Sequence, residues 1–171
     1  MSVTHRIAPC LWFDDQAEDA ARFYVDIFPN SRIVTIVRYG KAGHEVHHRP
    51  AGSVMTVDFE LDGSALTALN GGPVFTFNEA VSLQINCETQ EEVDYYWDRL
   101  TSGGDPAAQQ CGWLKDRFGL SWQVVPVGMV EMLRNPDAPG AERAMEAMLQ
   151  MKKLDIAELR RAFEGETAGR R

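Results

Sequence analysis

Apolar and polar positions change their period along the chain in an order that then repeats. Ile7 to Phe13 is apolar-rich and stops at Asp14-Asp15, where Asp15 followed three residues later by Glu18 has the form of a capping box. Beyond it Ala20, Phe23, Tyr24, Ile27 and Phe28 recur at i, i+3, i+4, i+7 and i+8, one helical stripe that Pro29-Asn30 ends. Three strand candidates follow, over Arg32–Arg38, Ser53–Leu61 and Ser64–Leu69, the last two joined at Asp62-Gly63. In the second of these Thr56, Asp58 and Glu60 share one face, and Met55, Val57, Phe59 and Leu61 the other. The order is β-α-β-β-β.

The same order begins again at Val81–Cys87, where Val81, Leu83, Ile85 and Cys87 alternate with Ser82, Gln84 and Asn86. Thr89 with Glu92 forms a second capping box, and Val93, Tyr96, Trp97 and Leu100 make a helical stripe ending at Gly103-Gly104. Asp105–Gln110 is a candidate edge strand. The run from Cys111 to Pro126 then reads as a hairpin about Asp116-Arg117-Phe118-Gly119, with Ser121 and Gln123 on one face of its second strand and Trp122 and Val124 on the other. A strand with a polar inner face implies a lined cavity.

From Gly128 onward the spacing is helical, with a stripe of Met132, Leu133, Ala141, Met145, Met148 and Leu149. Asp155 with Glu158 opens a last helix carrying Ile156, Leu159 and Phe163 on one face, and Glu164–Arg171 reads as a frayed end. The methionine stripe reads first as packing and second as a surface for a protein partner. The pattern predicts an α+β fold: a domain over residues 1–127, built from units at about 5–72 and 79–127, and a helical extension over 128–171.

Composition narrows the function classes. A net charge of −8 with no basic stripe disfavours nucleic acid and anionic lipid, and no apolar run approaches the roughly 20 residues of a membrane span. Cys10, Cys87 and Cys111 are odd in number and widely spaced, which reads as reduced core thiols of a cytoplasmic protein.

Four segments, CLWFDDQAEDAARFY ending in Phe28-Pro29-Asn30-Ser31, LNGGPVFTFNEAVSLQINCETQEEVDYYW, GWLKDRFGLSWQVVP and MEAMLQMKKLDI, carry a resemblance that spans nearly the whole chain. It is similar to the vicinal oxygen chelate superfamily of glyoxalase I, bleomycin-resistance proteins and extradiol dioxygenases, and within it to the PhnB-like branch, often labelled demethylubiquinone methyltransferase-like. The resemblance implies that each unit curls into a half-barrel framing a cleft, that the protein is a homodimer, and that divalent-metal ligands would stand at inward positions on the first and last strand of each unit. Those positions fall at Pro9, at Leu66 or Ala68, at Ser82 and at Gln123, of which only Gln123 has a commonly used ligand side chain. The superfamily metal set is therefore missing, since tight binding asks for three or four suitable donors. His5, four residues before Pro9, would be displaced by roughly 13 Å and reads as a terminal surface residue.

The remaining candidates are weighed against plainer readings. His44, Glu45, His47 and His48 form a histidine-rich loop between Gly43 and Pro50, read as solvated or as a lid, with metal binding as the alternative. Asp58 is a candidate general base if its face lines the cleft. Asn70, Ser82, Gln84, Asn86, Ser121 and Gln123 suit neutral hydrogen bonding to a polar small molecule, with Trp12 and Trp113 as candidate walls and Trp97 and Trp122 as core. A glycine-rich nucleotide-cradling turn is absent, so methyl transfer from a nucleotide-containing cofactor has no sequence support. The expected function is a metal-free pocket that binds a small polar-aromatic molecule through Gln123, Ser82, Gln84 and Asn70. The alternatives are a metal-dependent lyase, isomerase or dioxygenase using His5, the histidine loop and Asp58, and a protein-interaction module.

Overall fold

The computed structural model describes residues 6–166, so His5 and the end of the expected frayed terminus lie outside the described residues. The chain forms two compact units, Met1–Phe77 and Asn78–Arg171.

The first unit runs β1 (Cys10–Phe13), α1 (Ala17–Ile27), β2 (Arg32–Arg38), a single helical turn α2 (His44–His47), β3 (Val54–Leu61) and β4 (Ser64–Asn70). Its sheet is ordered β1-β4-β3-β2, with β1 parallel to β4 and the other pairs antiparallel. Helix α1 buries Ala17, Ala20, Ala21, Tyr24 and Ile27. It packs on β3 and β4, whose Val57, Phe59, Leu61, Leu66 and Ala68 are buried with it, and Tyr24 stacks on Phe59 with ring centroids 6.3 Å apart. The three alanines let the helix approach the sheet closely, and the two large side chains carry most of the apolar gain, about 1.5–3 kcal/mol each. Asp62 and Gly63, at φ 43° and 78°, make the two-residue turn that the Asp-Gly pair predicts.

The helix starts one residue later than the Asp15–Glu18 box predicts, and Gln16, the N-cap, offers no side-chain bond. Asn70, at the end of β4, supplies the missing acceptor: its Oδ1 takes the Ala17 amide at 2.8 Å while its Nδ2 donates to the Val54 carbonyl at 3.1 Å. Glu18 instead pairs with Arg22 one turn on. A tertiary contact has replaced the local cap.

The second unit runs β5 (Leu83–Cys87), α3 (Gln90–Thr101), a 3-10 turn (Pro106–Ala108), β6 (Trp113–Lys115), β7 (Ser121–Pro126), α4 (Val127–Leu133), α5 (Pro139–Leu149) and α6 (Ile156–Glu164). Its sheet has three strands, ordered β5-β7-β6, with β5 parallel to β7 and β6 antiparallel to it. Both sheets are open, so the fold is α+β. The edge strand expected at Asp105–Gln110 is absent: Pro106 has no amide hydrogen to give a ladder, and Asp105 Oδ1 accepts the Ala107 amide at 2.8 Å, which winds the segment into the 3-10 turn. The other two predicted N-caps do form, with Thr89 accepting the Glu92 amide and Asp155 the Glu158 amide, while the Glu92 carboxylate reaches back to the Glu88 amide.

The C-terminal helices are tied into this unit by main-chain bonds. The Cys111 and Gly112 amides donate to the Met151 and Lys152 carbonyls, both at 2.8 Å. The side chain of Gln90 reaches the Leu154 carbonyl and the Ile156 amide, and Lys153 pairs with Asp94 at 2.8 Å. That pairing holds the Asp94 carboxyl below the usual range and the Lys153 ammonium above it, each mainly through the hydrogen bond between them. The buried face of α5 is made by Gly140, Ala141 and Ala144, whereas Met145 and Leu149 stay exposed. Small residues, not the methionines, carry the packing.

Candidate functional site

Strand parity decides which side chains can line a site. In the second unit Ile85, Cys87, Trp122 and Val124 are buried, which leaves Gln84 and Gln123 on the opposite face of the sheet. Register places Gln84 beside Gln123, Gln123 beside Trp113, and Ser121 beside Lys115, so these side chains share the open face. Gln123 Nε2 donates to Ser82 Oγ at 2.8 Å, and Gln84 Nε2 donates to Asn86 Oδ1 at 2.7 Å. Half-buried Gln123, Ser82 and Trp113 are thus brought together, while exposed Gln84 bonds along its own strand.

A hollow of about 440 Å³ opens beside this row, lined by Glu79, Ala108, Gln110, Cys111, Trp113, Leu114, Lys115 and Ser121. That volume takes a single-ring molecule. Ser121 is 1 % exposed, and its Oγ is a buried side-chain polar atom without a hydrogen-bond partner among the described residues. A buried hydroxyl left unpaired costs about 1–3 kcal/mol, so an acceptor or donor reaching it from the hollow would be favoured. Lys115 Nζ pairs with the Glu79 carboxylate, and this hydrogen bond is the largest cause holding the Glu79 carboxyl below its ordinary value.

What fixes Lys115 and Ser121 in place is the turn between β6 and β7. Asp116, 2 % exposed, accepts the Phe118 and Leu120 amides at 2.8 and 3.1 Å through Oδ1 and the Trp122 indole N–H at 2.8 Å through Oδ2. One carboxylate therefore closes the turn and locks the buried tryptophan of β7. Glu79 and Lys115 did not register as site residues in the sequence, because each is an isolated charge and their pairing spans a long separation. Ser121 was legible through the strand alternation.

In the first unit the buried set on β1 and β4 is Leu11, Phe13, Leu66 and Ala68, so Leu66 and Ala68 face the helix side and Pro9 has the parity of that same set. The ligand register taken from the sequence is off by one residue there. The open face carries instead Cys10, Thr67 and Asp58, joined by register, with Thr67 Oγ1 donating to Asp58 Oδ1 at 2.7 Å. The Cys10 thiol is pushed up by burial and, less, by the Asp58 charge. Asn70 has both polar atoms committed to Ala17 and Val54, which assigns it a structural task. Trp12 lies over its own loop: its Nε1 donates to the Gly72 carbonyl at 2.8 Å, its ring contacts Gly71 where no β-carbon would fit, and Phe75 meets it edge-on at 4.9 Å.

The histidine loop forms the one-turn α2, with Gly43 and His48 in the left-handed region at its two ends. His47 Nδ1 accepts the Arg49 amide at 3.0 Å, so its Nε2 carries the proton and meets the Ala42 carbonyl at 3.2 Å. Both nitrogens are engaged, and the ring stacks on Tyr39 at 4.4 Å. Among the described residues no three His, Cys, Asp or Glu side chains gather closely enough to hold a metal ion.

Open sheets packed with helices, ordered β-α-β-β-β in the first unit and β-α-β-β in the second, match the glyoxalase and vicinal oxygen chelate fold. The model of the 3-demethylubiquinone-9 3-methyltransferase family matches residues 5–125, and the chain belongs to that family, the PhnB-like branch of this superfamily. It is similar to the structure of a PhnB protein of Bacillus cereus, with 33 % identity, TM-score 0.61, and coverage of 72 % of this chain and 100 % of that one. Protein PA1353 of Pseudomonas aeruginosa (20 %, TM-score 0.55, 72 % and 98 % covered) and the fosfomycin resistance protein FosX of Mesorhizobium loti (13 %, TM-score 0.52, 78 % and 100 % covered) share the fold. Comparison with curated proteins returns no match. The family's methyltransferase name meets no glycine-rich cofactor turn in the sequence and no doubly wound parallel sheet among the described residues.

Proposed function

We propose that this protein binds a small polar-aromatic molecule in the hollow of its second unit, without a catalytic metal. The observation that carries the reading is Ser121: a residue that lines the hollow and whose buried hydroxyl is unpartnered among the described residues, in a hollow that also offers a half-buried indole. Ser82 and Gln123 do not line the hollow themselves, but Gln123 stands across the ladder from Trp113, and the coupled pair keeps lone pairs and an amide hydrogen that suit a neutral polar group. Trp113 supplies the aromatic wall. The alternative of a metal-dependent lyase, isomerase or dioxygenase draws its ligands from His5, the His44–His48 loop and Asp58; His5 lies outside the described residues, and His47 is already bonded at both nitrogens, which supports the metal-free reading.

The test is a panel of single-ring aromatic acids, amides and phenols, titrated into chelator-treated protein and read by tryptophan fluorescence. Saturable binding lost in Trp113→Ala is expected. Binding that requires added Zn, Ni, Fe or Mn would refute the metal-free reading. We further propose a homodimer, with the exposed Val127, Val130, Met145 and Leu149 of the C-terminal helices available for subunit or protein contacts. Light scattering at micromolar concentration decides it.

A further inference from the structure

We propose that Lys115 and Ser121 form an anion subsite in the hollow, that Glu79 is its built-in competitor, and that the ligand class is a small aromatic monocarboxylate with its ring against Trp113. This deepens the binding reading above and rests on it.

Three observations carry the assignment. Lys115 is held in the wall, with its side chain 25 % exposed, whereas its counter-ion Glu79 is 65 % exposed and projects from a turn outside any strand or helix. The lysine is fixed by the β6–β7 register, and the glutamate by side-chain rotamers and a short turn that Asn78 closes on the Ala80 amide. The movable partner of the pair is therefore Glu79. Second, Ser121 stands directly across the ladder from Lys115, so the unpartnered hydroxyl and the ammonium share one face and can serve the two oxygens of one carboxylate. Third, Trp113 lies two residues before Lys115 on the same strand face, about 7 Å along the strand, and lines the same hollow, so an aromatic ring attached to that carboxylate has an indole beside it.

The chemistry selects the charge. An ammonium has three donors and no acceptor, so a neutral ligand displacing Glu79 would leave a cation unpaired in the wall, while a carboxylate replaces the one it removes. Glu79 already places a carboxylate on Lys115 Nζ, which marks where the ligand's group would sit. A single cation in the subsite matches a monoanion better than a phosphate dianion. Because the Glu79–Lys115 pair is exposed on the glutamate side, displacing it costs little, and removing it should raise affinity modestly.

The experiment is a fluorescence titration of the full chain with benzoate and, separately, its neutral analogue benzamide, at fixed pH and ionic strength. Benzoate should bind more tightly than benzamide. Glu79→Gln should tighten benzoate about three- to fivefold and leave benzamide unchanged, the size expected from freeing one exposed ion pair. Lys115→Met should erase the preference and Lys115→Arg should keep it; Ser121→Ala should weaken benzoate more than benzamide. Equal binding of the two probes, unaffected by Glu79→Gln, overturns the anion subsite while the binding reading stands. Saturable binding by neither probe, in the wild type and in Glu79→Gln alike, overturns the anion subsite and counts against the binding reading itself. Melting curves confirm that each variant is folded.

Discussion

Asp116→Ala should remove more stability from the second unit than any other polar substitution near the hollow. The carboxylate accepts three donors, two of which belong to residues almost without exposure: the Leu120 amide and the Trp122 indole, at 3 % and 2 %. Leaving a buried donor unpaired costs about 1–3 kcal/mol, so these two together are worth about 4 kcal/mol, while the half-buried Phe118 amide can turn to water. Asp116→Asn is the informative partner. It keeps an acceptor for the two amides and sets an NH2 against the indole N–H, a single mismatch worth about 2 kcal/mol. Urea unfolding followed by tryptophan fluorescence and by circular dichroism measures both, and at a slope of about 2 kcal/mol/M the alanine variant's midpoint should fall by about 2 M. A loss under about 1 kcal/mol for alanine, or equal losses for the two variants, would refute the reasoning that one buried carboxylate closes this turn.

Asn70→Ala should cost about 2 kcal/mol in urea unfolding and leave ligand affinity unchanged, because its amide serves the start of α1 and the Val54 carbonyl. Gly112→Ala should destabilise by about 2 kcal/mol or more and expose residues 150–155 to limited proteolysis, since φ is +82° and a β-carbon would lie 2.8 Å from the Val124 carbonyl and 2.9 Å from Leu154 Cδ1. Burial, then the Glu92 charge, push the Cys87 thiol up to about 12, so iodoacetamide at pH 8 should spare it until the protein unfolds. The sign for stability follows: the folded thiol keeps its proton when the unfolded one has lost it, so this contribution is complete below pH 9.0 and is lost as pH rises through about 12, which alkaline unfolding curves of wild type and Cys87→Ala would compare.

The period of the apolar residues made the two helices, the strand faces and the hairpin legible, because α1 and β3 each bury one face more deeply than the other, and β7, buried at all but Gln123, alternates in residue type. What failed to show were the features settled by distant residues or by a local side chain competing for the backbone. Asp15 looked like a cap, but Asn70 from β4 reached Ala17 first. Asp105–Gln110 looked like an edge strand, yet Pro106 and the Asp105 side chain gave the backbone a local alternative. The methionine stripe of α5 promised core, and Ala141 and Ala144 took that role because the helix packs closely on α6. In the site, Ser121 and Gln123 followed from alternation alone, whereas Lys115 gained meaning only once Glu79, from outside the sheet, was seen to hold it.

The most direct test of the account is a ¹⁵N-resolved NMR titration of metal-stripped protein with benzoate, following the indole N–H signals, that of Trp113 assigned through Trp113→Phe. The account predicts a saturable shift of the Trp113 signal and of the Ser121 and Lys115 amides, with Trp97 and Trp122 little moved. Saturable binding that leaves those hollow residues unshifted, or that begins only when a divalent transition metal is restored, would contradict it.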